Sequence, residues 1–318
     1  MSVSICERMY IREGVSAGVR ADGRGRRDVR PASFETGVVA QASGSCRATT
    51  GAGSHVLVGV KVAVGAPEGV TGLGPSAGDR DLDDGPDGLG NGGAEDGDAA
   101  VMHAEDPRLK RGRVVVSVEC APAIIYSMDP RAVEDLCVEY AEFIAKLLNG
   151  DHGGLDLESL CIVPANTCWV IHVDALVLGY GGNLLDTIFQ ATRGALHNTL
   201  IPKFSIEESV NSATGNTSYE FDVADEETEE LKGHHQVPVI VTLFKIGNYY
   251  VLDPSPLEEK CSDVQLTVAI NRKGLPCSIH KIGAGSIEPS LLAAMIQDAK
   301  EQGLALFREL DHTFARAE

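Results

Sequence analysis

No stretch of this 318-residue chain approaches the ~18 consecutive apolar residues that a membrane-crossing helix needs. Its opening, MSVSICERMYIREG, carries charges where a signal peptide would have an apolar block, which predicts a chain on the cytosolic or nuclear side. No two of its eight cysteines are spaced C-x-x-C, so neither a zinc site nor a dithiol redox motif is indicated. Most of these cysteines (Cys6, Cys46, Cys120, Cys137, Cys161, Cys168, Cys261, Cys277) lie in apolar runs and read as buried free thiols in a reducing compartment. No two histidines have metal-ligand spacing. His234 and His235 are adjacent, and their side chains are expected to diverge. No local order of Ser, His and Asp suggests a nucleophilic triad. From the residues alone, neither a metal nor a cofactor is expected.

Apolar side chains make up 43% of the chain, enough for a real core, so wholesale disorder is excluded. The length suits about two domains or two fused lobes. The net charge of −19 would argue against nucleic acid if it were spread evenly, but it is local. Residues 68–107 hold eleven acidic groups and one basic, and residues 206–232 hold nine acidic and one basic. The rest of the chain is almost neutral. The first acidic segment contains ten glycines and almost no large apolar residue, so it cannot offset its ordering entropy by burial and reads as an insertion in a surface loop. The second reads as an acidic linker.

Between these segments strand and helix patterns alternate. Val56 to Val64, Val114 to Cys120 and Cys168 to Leu178 are rich in β-branched residues and predict strands. Asp129 to Leu148 has apolar residues near helical spacing, with Pro130 in the first turn, and Leu184 to Leu200 predicts a second helix. The second half repeats the pattern. Strands are expected at Val239 to Ile246, Tyr249 to Asp253, Val264 to Asn271 and Cys277 to Ile282, with a hairpin turn at Arg272-Lys273-Gly274. A long helix opens at Pro289. The expected fold class is α+β, two lobes packed into one body. The expected boundaries are an N-terminal extension over 1–30, a first domain over 31–205 carrying the insertion 68–107, the linker 206–232, and a second domain over 233–318.

Three places could carry chemistry. The paired glycines of Gly179-Tyr180-Gly181-Gly182-Asn183 join a strand to a helix and could offer backbone N–H groups to an anion; a tight turn capped by Asn183 or Asp186 explains them equally simply. The stretch from Val251 to Lys260 carries Asp253, Glu258 and Glu259 at and beyond a strand end, suited to acid catalysis or to an ordinary charged turn. Two basic groups, Arg20, Arg24, Arg26, Arg27 and Arg30, and then Arg108, Lys110, Arg111 and Arg113, could meet phosphates.

These residues together resemble the RNase PH family. Arg20-x-Asp22-Gly23-Arg24 is similar to the segment that opens its domains. The runs CWVIHVDALVLGYGGNLLDTIFQATRGALHNT from Cys168 and VLDPSPLEEKCSDVQLTVAINRKGLPCSIHKIGAGSIEP from Val251 resemble one branch of it, a ring subunit of the RNA exosome. The resemblance implies an RNase PH fold of two βαβα-type lobes. It also implies a place among other RNase PH-type ring subunits, with RNA-binding cap subunits, a catalytic exosome nuclease and RNA as partners, no membrane, and residence in nucleus, nucleolus and cytoplasm. Active members attack the RNA 3′ end with inorganic phosphate, held by a Thr-Arg pair after the Gly-Gly; here that pair is Asn183-Leu184, and leucine offers neither donor nor charge. The two family carboxylates fall on Asp253 and Glu259, giving a degenerate site. The family's basic R-x-x-R falls on Phe143-x-x-Lys146, leaving Lys146 as the cation nearest the RNA path. An inert ring subunit is therefore the expected function. An active phosphorolytic 3′–5′ exoribonuclease is the alternative, and a GHMP-like small-molecule enzyme is disfavoured because no serine-rich phosphate loop accompanies the glycines.

Deleting residues 72–104 and joining the ends is expected to leave folding intact, because loop closure depends weakly on length. Thermal unfolding of the deletion variant should stay within a few degrees of the parent, and a larger drop would mean that the segment packs.

Overall fold

The computed structural model describes residues 3–51, 53–67, 107–125, 130–210 and 217–314. The glycine-rich acidic insertion lies, but for its last residue, outside them. An N-terminal helix, α1 (Ile5–Ala17), leads to a first sheet of six strands: β1 (Ala32–Thr36), β2 (Gly44–Thr50), β3 (His55–Gly65), β4 (Arg113–Cys120), β5 (Cys161–Val163) and β6 (Thr167–Gly179). The spatial order is β1-β2-β3-β6-β4, with β5 pairing β6; every pairing is antiparallel except that of β4 with β6. The short helix α2 (Pro122–Ile125) and the long helix α3 (Pro130–Asn149) follow β4. Then come α4 (Leu184–His197), a hairpin of β7 (Leu200–Val210) and β8 (Thr217–Glu230), and a second antiparallel sheet ordered β10-β9-β11-β12. Its strands are β9 (Val239–Ile246), β10 (Tyr249–Leu252), β11 (Val264–Ile270) and β12 (Pro276–Ile282), with α5 (Pro256–Cys261) between β10 and β11 and α6 (Pro289–Phe314) closing the chain.

The α+β expectation holds, and its long periodic elements fall within one to three residues of their predicted bounds. The Arg272-Lys273-Gly274 turn does join β11 to β12, with Gly274 at φ 74° donating its N–H to Asn271 O. Helix α4 stops three residues before the predicted Leu200. Thr199 Oγ1 turns back onto Ala195 O at 2.7 Å, and the Leu200 N–H donates to Ser43 O, which starts β7.

Helix α4 is the centre of the molecule. Twelve of its fourteen residues are buried, because it packs on β2 and β3 of the first sheet and also on β9 of the second. A helix enclosed on all sides must be apolar or small around its whole circumference. Ile188, Phe189, Leu185 and Leu196 fill it out, and Gly194 lets the helix approach Cys46 and Phe314, which a Cβ there would meet at 2.6 and 3.1 Å. Truncating a fully buried side chain such as Ile188 to Ala removes ~2–5 kcal/mol. Helix α6 lays Met295, Ala299, Phe307, Leu310 and Phe314 against the second sheet.

Three readings are corrected by the fold. The N-terminal extension over 1–30 is part of the folded body: α1 packs Ile11 and Val15 against Phe244, Ile246, Val251 and Cys261 of the second lobe. The acidic linker over 206–232 is largely paired strand. Ser205 faces Asp222 and Ile206 faces Phe221, Lys203 meets Glu227 across the hairpin at 3.1 Å, and Leu231 buries its side chain fully at the base. Alternating β-forming residues set this pairing. Of the eight free cysteines, Cys46, Cys168 and Cys261 are buried, Cys6 is exposed on α1, and the other four are half-buried.

Candidate functional site

Strand β6 ends at Gly179 and α4 begins at Leu184, so Tyr180 to Asn183 must turn the chain sharply. Gly182 adopts φ 89°, and a Cβ there would lie 2.3 Å from Pro254 O. The glycine is required by this crossing of two chain segments. Its neighbours' N–H groups are committed as well. Gly181 N–H donates to Ser54 Oγ at 3.0 Å, and the Asn183 N–H is directed at the Glu259 carboxylate. Asn183 itself is left-handed at φ 51°, and its side-chain Nδ2 donates to Asp186 Oδ2 at 2.9 Å. Leu184 is buried in the main core.

Opposite this turn, β10 ends at Leu252 and the chain passes through Asp253, at φ 46°, into α5. A non-glycine residue holds that backbone region only when its surroundings over-determine it. They do here. Arg30 donates its backbone N–H and its Nε to Asp253 Oδ2 at 2.8 and 2.7 Å, and its Nη2 to Oδ1. Arg24 Nη1 reaches the same Oδ2 at 2.9 Å. Arg30 Nη1 also donates to Gly181 O at 2.6 Å, locking the two turns together.

Beneath Asp253 lies a second ion pair. Arg20 grips Glu258 through Nε and Nη2 at 3.0 and 2.7 Å, with both residues no more than 3% exposed, and its Nη groups donate to the carbonyls of Leu252 and Asp253. Glu258 completes a reciprocal cap with Ser255 at the start of α5. Arg27 pairs with Asp298 at 2.7 Å, and Arg26 lies over the Tyr249 ring. Of the N-terminal arginines, candidates for phosphate contacts in the sequence, Arg20, Arg24 and Arg30 are thus spent on internal partners, while the Arg27 side chain stays 62% exposed. Those partners lie more than 200 residues away along the chain, so no local pattern reveals them.

Glu259 accepts the Tyr180 hydroxyl. Burial raises the Glu259 pKa, and burial followed by the nearby Glu259 charge raises that of Tyr180. Asp186 sits at the first turn of α4, enclosed, accepting Thr242 N–H at 3.0 Å and Thr242 Oγ1 at 2.5 Å. Burial pushes its pKa up to about 6. A cavity of about 100 Å³ lies here, lined by Arg30, Asn183, Asp186, Thr242, Asp253 and Glu309 among others. Its charged lining is three carboxylates against one arginine that is already bound to one of them. Such a cavity repels an incoming phosphate.

The structure therefore gathers Asn183 and Asp253 at one cavity, with Glu259 and the buried Leu184 beside the same turn, as the sequence suggested. Lys146 is elsewhere. It is exposed in the last turn of α3, where a cation meets the helix dipole favourably, and Phe143 one turn before it is a core residue stacked on His280 at 5.0 Å. The reading that His234 and His235 diverge is overturned. Their ring centroids are 3.7 Å apart, and His197 joins them at 4.8 and 5.5 Å. Gly233, at φ 85°, sets a 3-10 turn over His234–Gln236 in which neighbouring side chains converge.

Residues 236–302 match the 3′ exoribonuclease family, domain 2. A Dictyostelium discoideum protein, provisionally named exosome complex exonuclease RRP42, is 31% identical, the match covering 98% of this chain and 97% of the relative. The exosome complex component Rrp42 of Methanopyrus kandleri is 27% identical, over 93% of this chain and 92% of its own. An archaeal exosome core superposes with a TM-score of 0.69 at 22% identity, covering 96% of each chain. That likeness carries the RNase PH fold.

Replacing Asp253 with Ala strands the Arg30 guanidinium and leaves Arg24 with Asp22 alone, so urea unfolding should register a loss of ~3–5 kcal/mol. A loss below ~1 kcal/mol would show that the carboxylate is a dispensable remnant. For Asp186 the folded pKa exceeds the ordinary 3.8, so its contribution is fully present below that value and fades as pH rises through about 6. At ~1.4 kcal/mol per pH unit the group makes folding ~3 kcal/mol weaker across that window. Asp186→Asn should flatten the stability–pH curve between pH ~4 and ~6; an unaltered slope would assign the proton to another group.

Proposed function

The chain belongs to the Rrp42 family of RNase PH-type exosome components, and from that premise we propose that it is a non-catalytic ring subunit of the RNA exosome. It supports 3′-to-5′ RNA processing and degradation by scaffolding a separate nuclease and guiding RNA toward it. The observation that carries this reading is the fate of the reaction centre. Leu184 is buried in the core where phosphorolytic members hold phosphate, and Asp253 is bound by two arginines. That carboxylate accepts four hydrogen bonds from Arg24 and Arg30, so its charge is neutralised inside the fold. Glu259, with its raised pKa, is held by Tyr180.

The same premise gives the partners: neighbouring RNase PH-type ring subunits, cap subunits that bind RNA, a catalytic nuclease and RNA itself, in nucleus, nucleolus and cytoplasm. RNA contacts in such a ring are to phosphates and without base readout. Lys146 is the candidate cation for them on this chain, supported by its exposure on α3.

Incubated with single-stranded RNA and inorganic phosphate, the purified chain and the ring assembled around it should release no nucleoside diphosphates attributable to this subunit. Release that disappears in a folded Glu259→Gln variant would overturn the inert reading in favour of an active phosphorolytic exoribonuclease; the Dictyostelium relative carries the name exonuclease.

A further inference from the structure

His197, His234 and His235 form, among the described residues, the one group of three histidine, cysteine or carboxylate side chains close enough to share an ion. Their potential ligand atoms all lie within 4.8 Å of one another. Three pieces of chain meet there: the last residue of α4, the turn after the β7–β8 hairpin, and the end of α6, whose Phe314 ring lies 5.3 Å from His197. Two features make the group resemble a ligand set more than a chance stack of rings. Only glycine fits at 233, since a Cβ there would lie 2.4 Å from Gly154 O, and its left-handed φ of 85° opens the turn that carries both histidines. His234 Nδ1 lies 2.6 Å from Leu231 O. A carbonyl only accepts, so Nδ1 carries the proton and the Nε2 lone pair is presented outward, the arrangement in which a second partner orients a ligating imidazole.

We propose that His197, His234 and His235 bind one divalent d-block cation, zinc by preference, with water in the fourth position, and that the ion clips the end of α4 to the turn that enters the second sheet. Three neutral imidazoles suit zinc over magnesium or calcium, which take oxygen ligands. Zinc–nitrogen bonds of ~2.0–2.1 Å in a tetrahedron place ligand nitrogens ~3.4 Å apart. The cluster therefore has to close by little more than an ångström, which rotation of exposed His235 and half-buried His197 can supply. The charged neighbours nearly cancel. Arg272 and Arg193 both donate to Asp311, at 2.8 and 3.2 Å, and Glu230 adds a negative charge on the hairpin side. Because the three ligands come from elements joined only through the hairpin, an ion bound by the folded protein stabilises their mutual placement by mass action.

The test uses the untagged full-length chain, stripped of metal and titrated with zinc, with cobalt as a spectroscopic substitute. One equivalent should bind saturably at micromolar zinc and raise the melting temperature. Cobalt should show tetrahedral d–d bands without a thiolate charge-transfer band, which separates this site from the free cysteines. His235→Gln and His197→Gln, checked for folding by circular dichroism, should each weaken binding at least ~10-fold and abolish the zinc-dependent rise in melting temperature. His235 is exposed, so its variant is the one expected to fold without repacking. No saturable uptake, uptake unaltered in both variants, or a thiolate band in the cobalt spectrum would each overturn the assignment.

Discussion

Two arginine–carboxylate pairs, Arg30 with Asp253 and Arg20 with Glu258, tie the N-terminal segment to the turn that leads from β10 into α5. Each links residues more than 220 positions apart. They act together with the apolar packing of Ile11 and Val15 that docks α1 on the second lobe. The backbone of Asp253 can stay left-handed only because Arg24 and Arg30 fix its carboxylate. Arg30 then reaches across to the carbonyl of Gly181 and sets the spacing between the strand-to-helix turn of the first lobe and the strand-to-helix turn of the second. Buried ion pairs are not large sources of net stability, because desolvation offsets much of the attraction; their leverage is that breaking one half is costly. They determine which arrangement forms more than how firmly it holds.

The remainder of the architecture follows from α4. A helix buried on every side needs a wall on every side, and the two sheets and α6 supply them. At its first turn Asp186, Thr242, Thr267 and Asn183 bond to one another as a small polar network inside the molecule, with Thr242 Oγ1 3.0 Å from Thr267 Oγ1. The cost appears in the raised pKa of Asp186. A carboxyl that prefers its proton is the expected result of enclosing one acid where the nearest cation, Arg30, is already bound to another.

Legibility in the sequence tracks the range of the interaction. Strands β3, β6 and β9 and helices α3 and α6 were legible because their periodicity is written in neighbouring residues. Helix α1 carried a local signal, the Ser4–Glu7 capping box and Gly18 at its end, and could have been found. The β7–β8 hairpin was hidden because nine acidic residues dominate the composition of a segment whose Ile206 and Phe221 nevertheless pair. For the site, motif positions identified Asn183, Leu184, Asp253 and Glu259 correctly as neighbours. The partners that decide their chemistry, Arg24, Arg30 and Tyr180, were visible as residues and invisible as partners, since 223 to 229 positions separate Asp253 from its arginines. The histidine cluster was misread for a simpler reason. Adjacent side chains diverge in a regular strand or helix, and one left-handed glycine removes that rule.

The acids at this joint are fixed by their partners, whether or not a reaction uses them. Removing Asp253 strands the Arg30 guanidinium, which is 9% exposed, and leaves Arg24 with Asp22 alone, and removing Glu258 strands Arg20, which is buried. Each loss costs several kcal/mol, on the order of ~3–5, against a whole-domain stability of only ~5–15. The acids therefore persist as parts of the scaffold on physical grounds alone, and a motif that spells a reaction centre in the sequence is, in the fold, the joint between its two lobes.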